Sequence, residues 1–85
     1  MVGYSDTEKA LLRRMFYDRI IGGRHHGERE LCRGFPKGFA GDVPSALKKF
    51  VKDGLVMQHP TIYGKQYSLN SRAIKEIKEI IGDEI

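Results

Sequence analysis

Four side chains in the second half of the chain have the chemistry and spacing to bind a polyanion: Ser45, Lys48, Lys49 and Lys52. Helical residues advance by about 100° each, so in a helix these four fall within an arc of roughly 100°. No acidic residue of the same segment falls on that arc. Lysine ammonium groups neutralise phosphates, and a short hydroxyl near a helix start can approach a base edge. The spacing therefore predicts a surface that recognises double-stranded DNA.

The residues between these four predict the helix that carries them, over residues 42–53. Its buried stripe is expected to consist of Val43, Leu47, Phe50 and Val51, which recur at helical spacing. Asp42 is the expected N-cap with Pro44 in the first turn, and Gly54 supplies the left-handed residue that ends the helix. The alternative is that the lysines are only the solvated side of a helix with one buried face.

A β-hairpin is predicted directly after this helix, over residues 55–69. The runs 55–59 and 66–69 alternate apolar with polar residues and contain β-branched and aromatic side chains. The segment between them holds Gly64, which can take the positive φ that a tight turn requires, and Pro60, which is placed at the end of the first strand. A helix followed by such a hairpin is the order of a winged helix.

The tip and the second strand of this hairpin supply further candidate contacts. Lys65 and Tyr63 lie near the tip, within reach of a phosphate or a groove edge when the helix occupies the major groove. Tyr63 has an alternative role, because a tyrosine beside a turn often packs its ring on the hairpin itself. Along the second strand, Tyr67 is expected to face the core and Ser68 to face water.

Two further helices are predicted in the first half of the chain. The first runs from a capping box that starts at Ser5 to about Ile21, and the second, a short one, covers residues 28–33. A long turn with several glycines follows the second helix. Arg33 and Lys37 are placed to flank a DNA phosphate, because the helix before a recognition helix commonly crosses the backbone. The same turn could instead present a surface to a protein partner.

A last helix is predicted over residues 71–85. Isoleucines recur along it at spacings of three and four, at Ile74, Ile77, Ile81 and Ile85. This stripe either covers the open side of the helical core or forms the seam between two copies of the chain. Because Ile80 widens the apolar face beyond what one terminal helix requires, we predict a homodimer. Two-fold symmetry would then present two recognition helices to DNA.

Length and charge are consistent with one small basic domain over residues 1–85, made of a core (1–70) and the last helix. The 85 residues with 40% hydrophobic content are enough for one core and too few for a large buried active site, so we predict no enzyme. The net charge is +4, and residues 43–72 alone carry five basic and one acidic side chain. The positive charge is therefore concentrated on the predicted helix and hairpin.

Cysteine and histidine positions predict neither a disulfide nor a metal site. The single cysteine, Cys32, excludes an internal disulfide and favours a reducing compartment. His25, His26 and His59 do not combine with it in the paired spacing of a structural zinc site, so no metal or other cofactor is expected. The sequence contains no run of about 18 apolar residues and no run of signal-peptide type. We therefore expect a cytoplasmic protein without membrane contact.

Residues 33–70, RGFPKGFAGDVPSALKKFVKDGLVMQHPTIYGKQYSLN, resemble small, mostly uncharacterised archaeal winged-helix proteins. The likeness lies in a Gly-Phe-Pro-Lys turn before a lysine-rich helix and in a Pro-Thr-x-Tyr-Gly turn followed by Ser-Leu-Asn. It implies an α+β, mainly α, winged helix-turn-helix fold, with a three-helix core, a two-stranded β-hairpin wing and an additional C-terminal helix. It also implies DNA binding, with Ser45, Lys48, Lys49 and Lys52 on the recognition helix and Lys65 in the wing.

Two functional classes follow from these observations. The first is a sequence-specific DNA-binding protein that acts as a transcriptional regulator, in which lysines contact phosphates and Ser45 lies near base edges. The alternative is a winged-helix module for protein–protein interaction in a larger assembly, docked through the isoleucine helix or the loop from Phe35 to Phe39. RNA binding is less favoured, because the sequence shows no aromatic platform on which splayed bases could stack.

Overall fold

The computed structural model of the protein describes residues 3–33 and 42–82. Within these ranges the elements follow in the order α1 (Asp6–Tyr17), β1 (His26–Gly27), α2 (Glu28–Cys32), α3 (Val43–Lys52), β2 (Val56–Thr61), β3 (Gly64–Leu69) and α4 (Ile74–Ile81), with a 3₁₀ turn, Ser71–Ala73, before α4. The fold is α+β and mainly helical, which is compatible with a winged helix. The candidate Lys37 and the predicted loop from Phe35 to Phe39 lie outside the described residues.

The core lies where the helices meet the sheet. α1 packs on α3 and α4, α2 packs on α3, and the sheet contacts α1, α2 and α3. Large, fully buried side chains come from all of these layers: Leu11, Leu12, Met15, Leu31, Leu47, Phe50, Leu55, Leu69 and Ile77. Close packing of such side chains gives a domain of this size most of its stability, and it fixes α3 against the hairpin.

Within the described residues the sheet has three antiparallel strands in the order β1-β3-β2, one more than predicted. The additional strand pairs His26 with Tyr67 and Gly27 with Gln66. A strand of two residues has no period that a sequence pattern could show. Its pairing depends instead on the path of the chain from α1 back to β3.

The hairpin turn is tighter than predicted. β2 and β3 pair along their whole length, which leaves only Ile62 and Tyr63 in the turn. Gly64 follows them with a φ of 114°, positive as predicted. Pro60 lies within β2 rather than at its end. β2 is an edge strand, and an edge strand tolerates proline because one of its sides makes no ladder bonds.

α1 begins as predicted but ends earlier than predicted. The capping box of Ser5 and Glu8 is present at its start. At its end Arg19 takes a φ of 56°, and the N–H of Ile20 donates to the carbonyl of Met15 at 3.0 Å. This is a Schellman motif with arginine in the position that glycine usually takes. The predicted end was wrong because Ile20 keeps helical spacing and is buried, although it lies beyond the helix.

α3 forms where it was predicted and ends in the same motif, here with the predicted glycine. Gly54 has a φ of 80°, and the N–H of Leu55 donates to the carbonyl of Phe50 at 2.9 Å. At the start, Asp42 is the N-cap residue as predicted, but its side chain makes no capping hydrogen bond. Its backbone is helical, whereas a side-chain cap requires an extended backbone. The Asp42 carbonyl instead accepts from Ala46 N–H at 2.9 Å.

The C-terminal helix is shorter than predicted. The Asn70 side chain caps the 3₁₀ turn by accepting a backbone N–H at 3.0 Å, and Gly82, with a φ of 73°, ends α4. Ile77 and Ile81 are buried, so the isoleucine stripe covers the core, the first of its two predicted roles. Ile85 lies outside the described residues. Neither α4 nor any other helix of the described ranges is long and apolar enough to cross a bilayer.

Candidate nucleic-acid interface

α3 and the β2–β3 hairpin border a depression of about 300 Å³. We call it the basic cleft and define it by six side chains: Glu28, Ser45, Lys48, Gln58, Lys65 and Tyr67. Ser45 and Lys48 are three positions apart in α3, so they lie on one face of the helix. Lys65 and Tyr67 are two positions apart in β3, so they lie on one face of the strand. The fold therefore brings Ser45, Lys48 and Lys65 together from two elements that are separate in sequence.

Three of the candidate lysines keep an exposed charge. Lys48, Lys52 and Lys65 are all exposed, and none of them forms an ion pair with another described residue. Lys52 lies one helical turn beyond Lys48, on the same side of α3 but outside the lining of the basic cleft. Exposed ammonium groups without acidic partners create a positive potential that attracts a polyanion.

Lys49 has different surroundings and does not line the basic cleft. Its Nζ donates to the carbonyl of Gly3 at 3.1 Å, lies 3.5 Å from Glu8 Oε1, and sits 4.9 Å from the centre of the Tyr4 ring. We call this group, together with Asp53, the N-terminal clasp. The ammonium group of Lys49 is therefore already partnered by the segment around the start of α1.

Tyr4 is the centre of the N-terminal clasp. Its hydroxyl donates to Asp53 Oδ2 at 2.7 Å, and its ring lies 5.8 Å from that of Phe50. Burial, and then the hydrogen bond and charge of Asp53, raise the pKa of Tyr4 far above its usual value. The clasp ties the segment before α1 to the C-terminal half of α3, away from the lining of the basic cleft.

Glu28 and Gln58 line the basic cleft, although neither was predicted as a site residue. Glu28 Oε1 accepts from the hydroxyl of Tyr67 at 3.4 Å. Burial, and then the charge of Glu28, raise the pKa of the buried Tyr67. An acid in the first turn of a helix is ordinary, so nothing in the sequence marks Glu28 as facing α3. Gln58 faces the cleft because it pairs with Tyr67, a register that one strand alone does not reveal.

A match to a known protein would give the basic cleft a precedent. No family model, curated protein or solved structure matches this chain.

The hairpin tip is an exposed apolar surface. Ile62 is 92% and Tyr63 87% exposed, so the tyrosine ring does not pack on the hairpin. Tyr63, Lys65 and Arg29 line a second, wider depression of about 590 Å³ beside α2, which we call the tip groove. Lys65 thus borders both depressions, and the tip groove is lined by as many acidic as basic side chains.

Arg33 lies at the C-terminal end of α2 and is exposed. It lines neither the basic cleft nor the tip groove. α2 packs on α3, so Arg33 follows an element that neighbours α3, but the structure does not bring it into one cluster with Lys48 and Lys65.

On the face of the hairpin opposite the basic cleft, polar side chains form hydrogen bonds with one another and with the segment after α1. Ser68 is fully buried, so the prediction that it faces water was wrong. Its hydroxyl donates to the Gly22 carbonyl at 2.8 Å, and its oxygen therefore accepts from His59 Nε2–H at 2.9 Å. The His59 ring stacks on His25 at 4.6 Å, and His25 Nδ1 is hydrogen-bonded to the side chain of Gln66. The segment after α1 covers this face, a long-range contact that strand alternation cannot reveal.

The remaining ligand-type residues are spread over the fold. His26 Nδ1 lies 3.2 Å from Glu30 Oε2, and Cys32 is half-buried. In residues 3–33 and 42–82, no three His, Cys, Asp or Glu side chains come together as a metal site would require.

Proposed function

We propose that this chain is a winged helix-turn-helix protein that binds double-stranded DNA and regulates transcription. In this proposal α3 is the recognition helix in the major groove, and the β2–β3 hairpin is the wing. One observation carries the proposal: Lys48 and Lys65 come from different elements, line one depression with Ser45, and have no acidic partner in an ion pair among the described residues. Cations placed in this way on two elements can contact phosphates on both sides of a groove.

Each candidate residue has a separate role in the proposed complex. Lys48, Lys52 and Lys65 neutralise phosphates, which gives affinity and orientation but no sequence information. Ser45, near the start of α3, lies close to base edges. Tyr63 at the exposed tip contacts the groove edge or the sugar-phosphate backbone.

The proposal includes a cytoplasmic homodimer. Ile77 and Ile81 are used in the core, whereas Ile74 and Ile80, at the two edges of this buried stripe, are only partly buried and leave some apolar surface at each edge. A second copy packed there would present two recognition helices to successive half-sites. Crosslinking or light scattering of wild type and Ile74→Lys tests this part separately from DNA binding.

A protein-interaction module is the second candidate, and the exposed hairpin tip is the observation that favours it. Ile62 and Tyr63 together present apolar surface, and a tyrosine of this kind is common at protein interfaces. In that case the lysines would contribute little to partner binding.

Fluorescence anisotropy with mixed-sequence duplex DNA tests the proposal. Binding should weaken steeply between about 50 and 200 mM salt, because each neutralised phosphate releases counterions. In Lys48→Glu/Lys52→Glu we expect affinity to fall by about 100-fold or more and the salt dependence to become shallower by about 2 in log–log slope.

The matched control is Arg72→Glu/Lys75→Glu. It makes the same change in net charge at two exposed residues, neither of which lines the basic cleft. The control should lose only a few-fold in affinity, through the general field of the protein. DNA binding that is absent, or reduced equally by both double variants, would favour the protein-interaction module.

A further inference from the structure

A carboxylate lies among the cations of the basic cleft. Glu28, the first residue of α2, is half-buried and lines both the basic cleft and the tip groove. In the cleft it shares the lining with Lys48 and Lys65, yet it forms an ion pair with neither. Its contact within the cleft is the hydrogen bond from Tyr67. The basic cleft therefore holds one carboxylate together with two lysines that form no ion pair with it.

This pattern of charge suits a DNA groove better than a continuous phosphate surface. A carboxylate repels phosphate, so its presence lowers affinity for the backbone. An ionised carboxylate only accepts hydrogen bonds, and the amino groups that bases expose in the major groove are hydrogen-bond donors. Lysines that line the same cleft as the carboxylate can contact phosphates near such an amino group.

Tyr67 contacts Glu28 in this position. Its hydroxyl lies 3.4 Å from one carboxylate oxygen, a long hydrogen bond, and Tyr67 is only 5% exposed, which restricts its movement. The other carboxylate oxygen makes no hydrogen bond to another described side chain and remains available as an acceptor.

We propose that Glu28 is a specificity-determining residue that accepts a hydrogen bond from the exocyclic amino group of a cytosine in the major groove. The proposal rests on the proposed DNA binding and adds the base that is read. Glu and Asp are the side chains that accept from the cytosine amino group. Glu28 has two effects in this account: it weakens binding to DNA in general and it restores affinity where a cytosine lies opposite it.

Selection of binding sites from a randomised duplex pool tests the proposal, with wild type, Glu28→Gln and Glu79→Gln compared. Glu79→Gln is the matched control, because Glu79 is exposed on α4 and lines neither depression. Wild type and the control should select a cytosine at one fixed position of the site. Glu28→Gln should lose about tenfold in preference for that cytosine, and it should bind mixed-sequence DNA more tightly than wild type because a repulsive charge is gone.

Tyr67→Phe is the second variant and keeps the charge of Glu28. It should weaken the cytosine preference by a few-fold while leaving the binding of mixed-sequence DNA near the wild-type level. Circular dichroism and thermal melts of each variant show whether it is folded. If Glu28→Gln is not folded, the cytosine preference of Tyr67→Phe decides whether Glu28 has the proposed role.

The failures of the two proposals can be told apart. A cytosine preference that persists in both variants, or wild type that binds DNA without selecting a cytosine, overturns the role of Glu28 and leaves DNA binding intact. Wild type that binds no duplex at low salt overturns both.

Discussion

Two neighbouring lysines lie at opposite edges of the polar side of α3 and have different surroundings. Lys48, at the edge toward the hairpin, is exposed in the basic cleft and has no ion-pair partner among the described residues. Lys49, at the other edge, contacts Gly3, Glu8 and Tyr4 of the N-terminal clasp. One edge of the helix is thus used to hold the fold together, and the other keeps its charge available for a partner.

This difference distinguishes a lysine that stabilises the fold from a lysine whose charge is available to a partner. The number of lysines alone does not make that distinction. A lysine in a contact network gives up rotamer freedom and has its charge compensated within the protein. A lysine without partners contributes little to folding, and its full charge acts on molecules outside. Stability should therefore respond to changes at the N-terminal clasp, and DNA affinity to changes at the basic cleft.

The largest effect on stability is expected for Tyr4→Ala. It removes the ring that packs on Phe50 and the hydroxyl that donates to Asp53. Because Tyr4 is only half-buried, we expect the free energy of unfolding to fall by about 2 kcal/mol, less than a fully buried aromatic costs. Chemical denaturation measures this, and DNA affinity of the folded variant should stay within about twofold of wild type. A large loss of DNA affinity in a folded Tyr4→Ala would contradict the assignment of stability to the N-terminal clasp and of DNA affinity to the basic cleft.

A smaller and pH-dependent effect is expected for Tyr4→Phe. The variant keeps the ring and loses the hydrogen bond to Asp53, which should cost about 1 kcal/mol near neutral pH. Because the folded protein raises the pKa of Tyr4, the unfolded chain releases this proton first, and stability falls as pH rises above about 10.

Phenylalanine has no such proton. The gap between the free energies of unfolding of wild type and Tyr4→Phe should therefore be smaller at about pH 11 than at about pH 8. Urea unfolding at the two pH values measures the gap. A gap that stays constant would show that the hydroxyl of Tyr4 is not protected by the N-terminal clasp.

The sequence predicted best what depends on neighbouring residues. α3, its stop at Gly54 and the capping box at Ser5 were right because periodicity, a left-handed glycine and a local hydrogen-bond pair define them. The end of α1 was wrong because an arginine, Arg19, takes the left-handed conformation. The strand β1 was missed because it forms only by pairing with a distant strand.

The same distinction, between what neighbouring residues determine and what long-range packing determines, applies to the candidate site. Ser45 and Lys48 were predicted from helical spacing and Lys65 from its place near the hairpin tip, and the three come together in the basic cleft. Lys49 shares the polar arc with Ser45 and Lys48, but periodicity gives only its angle on the helix, and its partners come from the start of the chain. Glu28 was missed because its position in the cleft depends on how α2 packs on α3.

The salt dependence of DNA binding in Lys48→Ala and Lys49→Ala tests the central claim most directly. Each variant removes one positive charge from an adjacent position on the same helix, so net charge is matched. We expect Lys48→Ala to reduce the log–log salt slope by about 1 and to weaken binding several-fold, whereas Lys49→Ala should keep the wild-type slope. Equal slopes in the two variants, or a loss confined to Lys49→Ala, would contradict the assignment of the basic cleft as the DNA-binding surface.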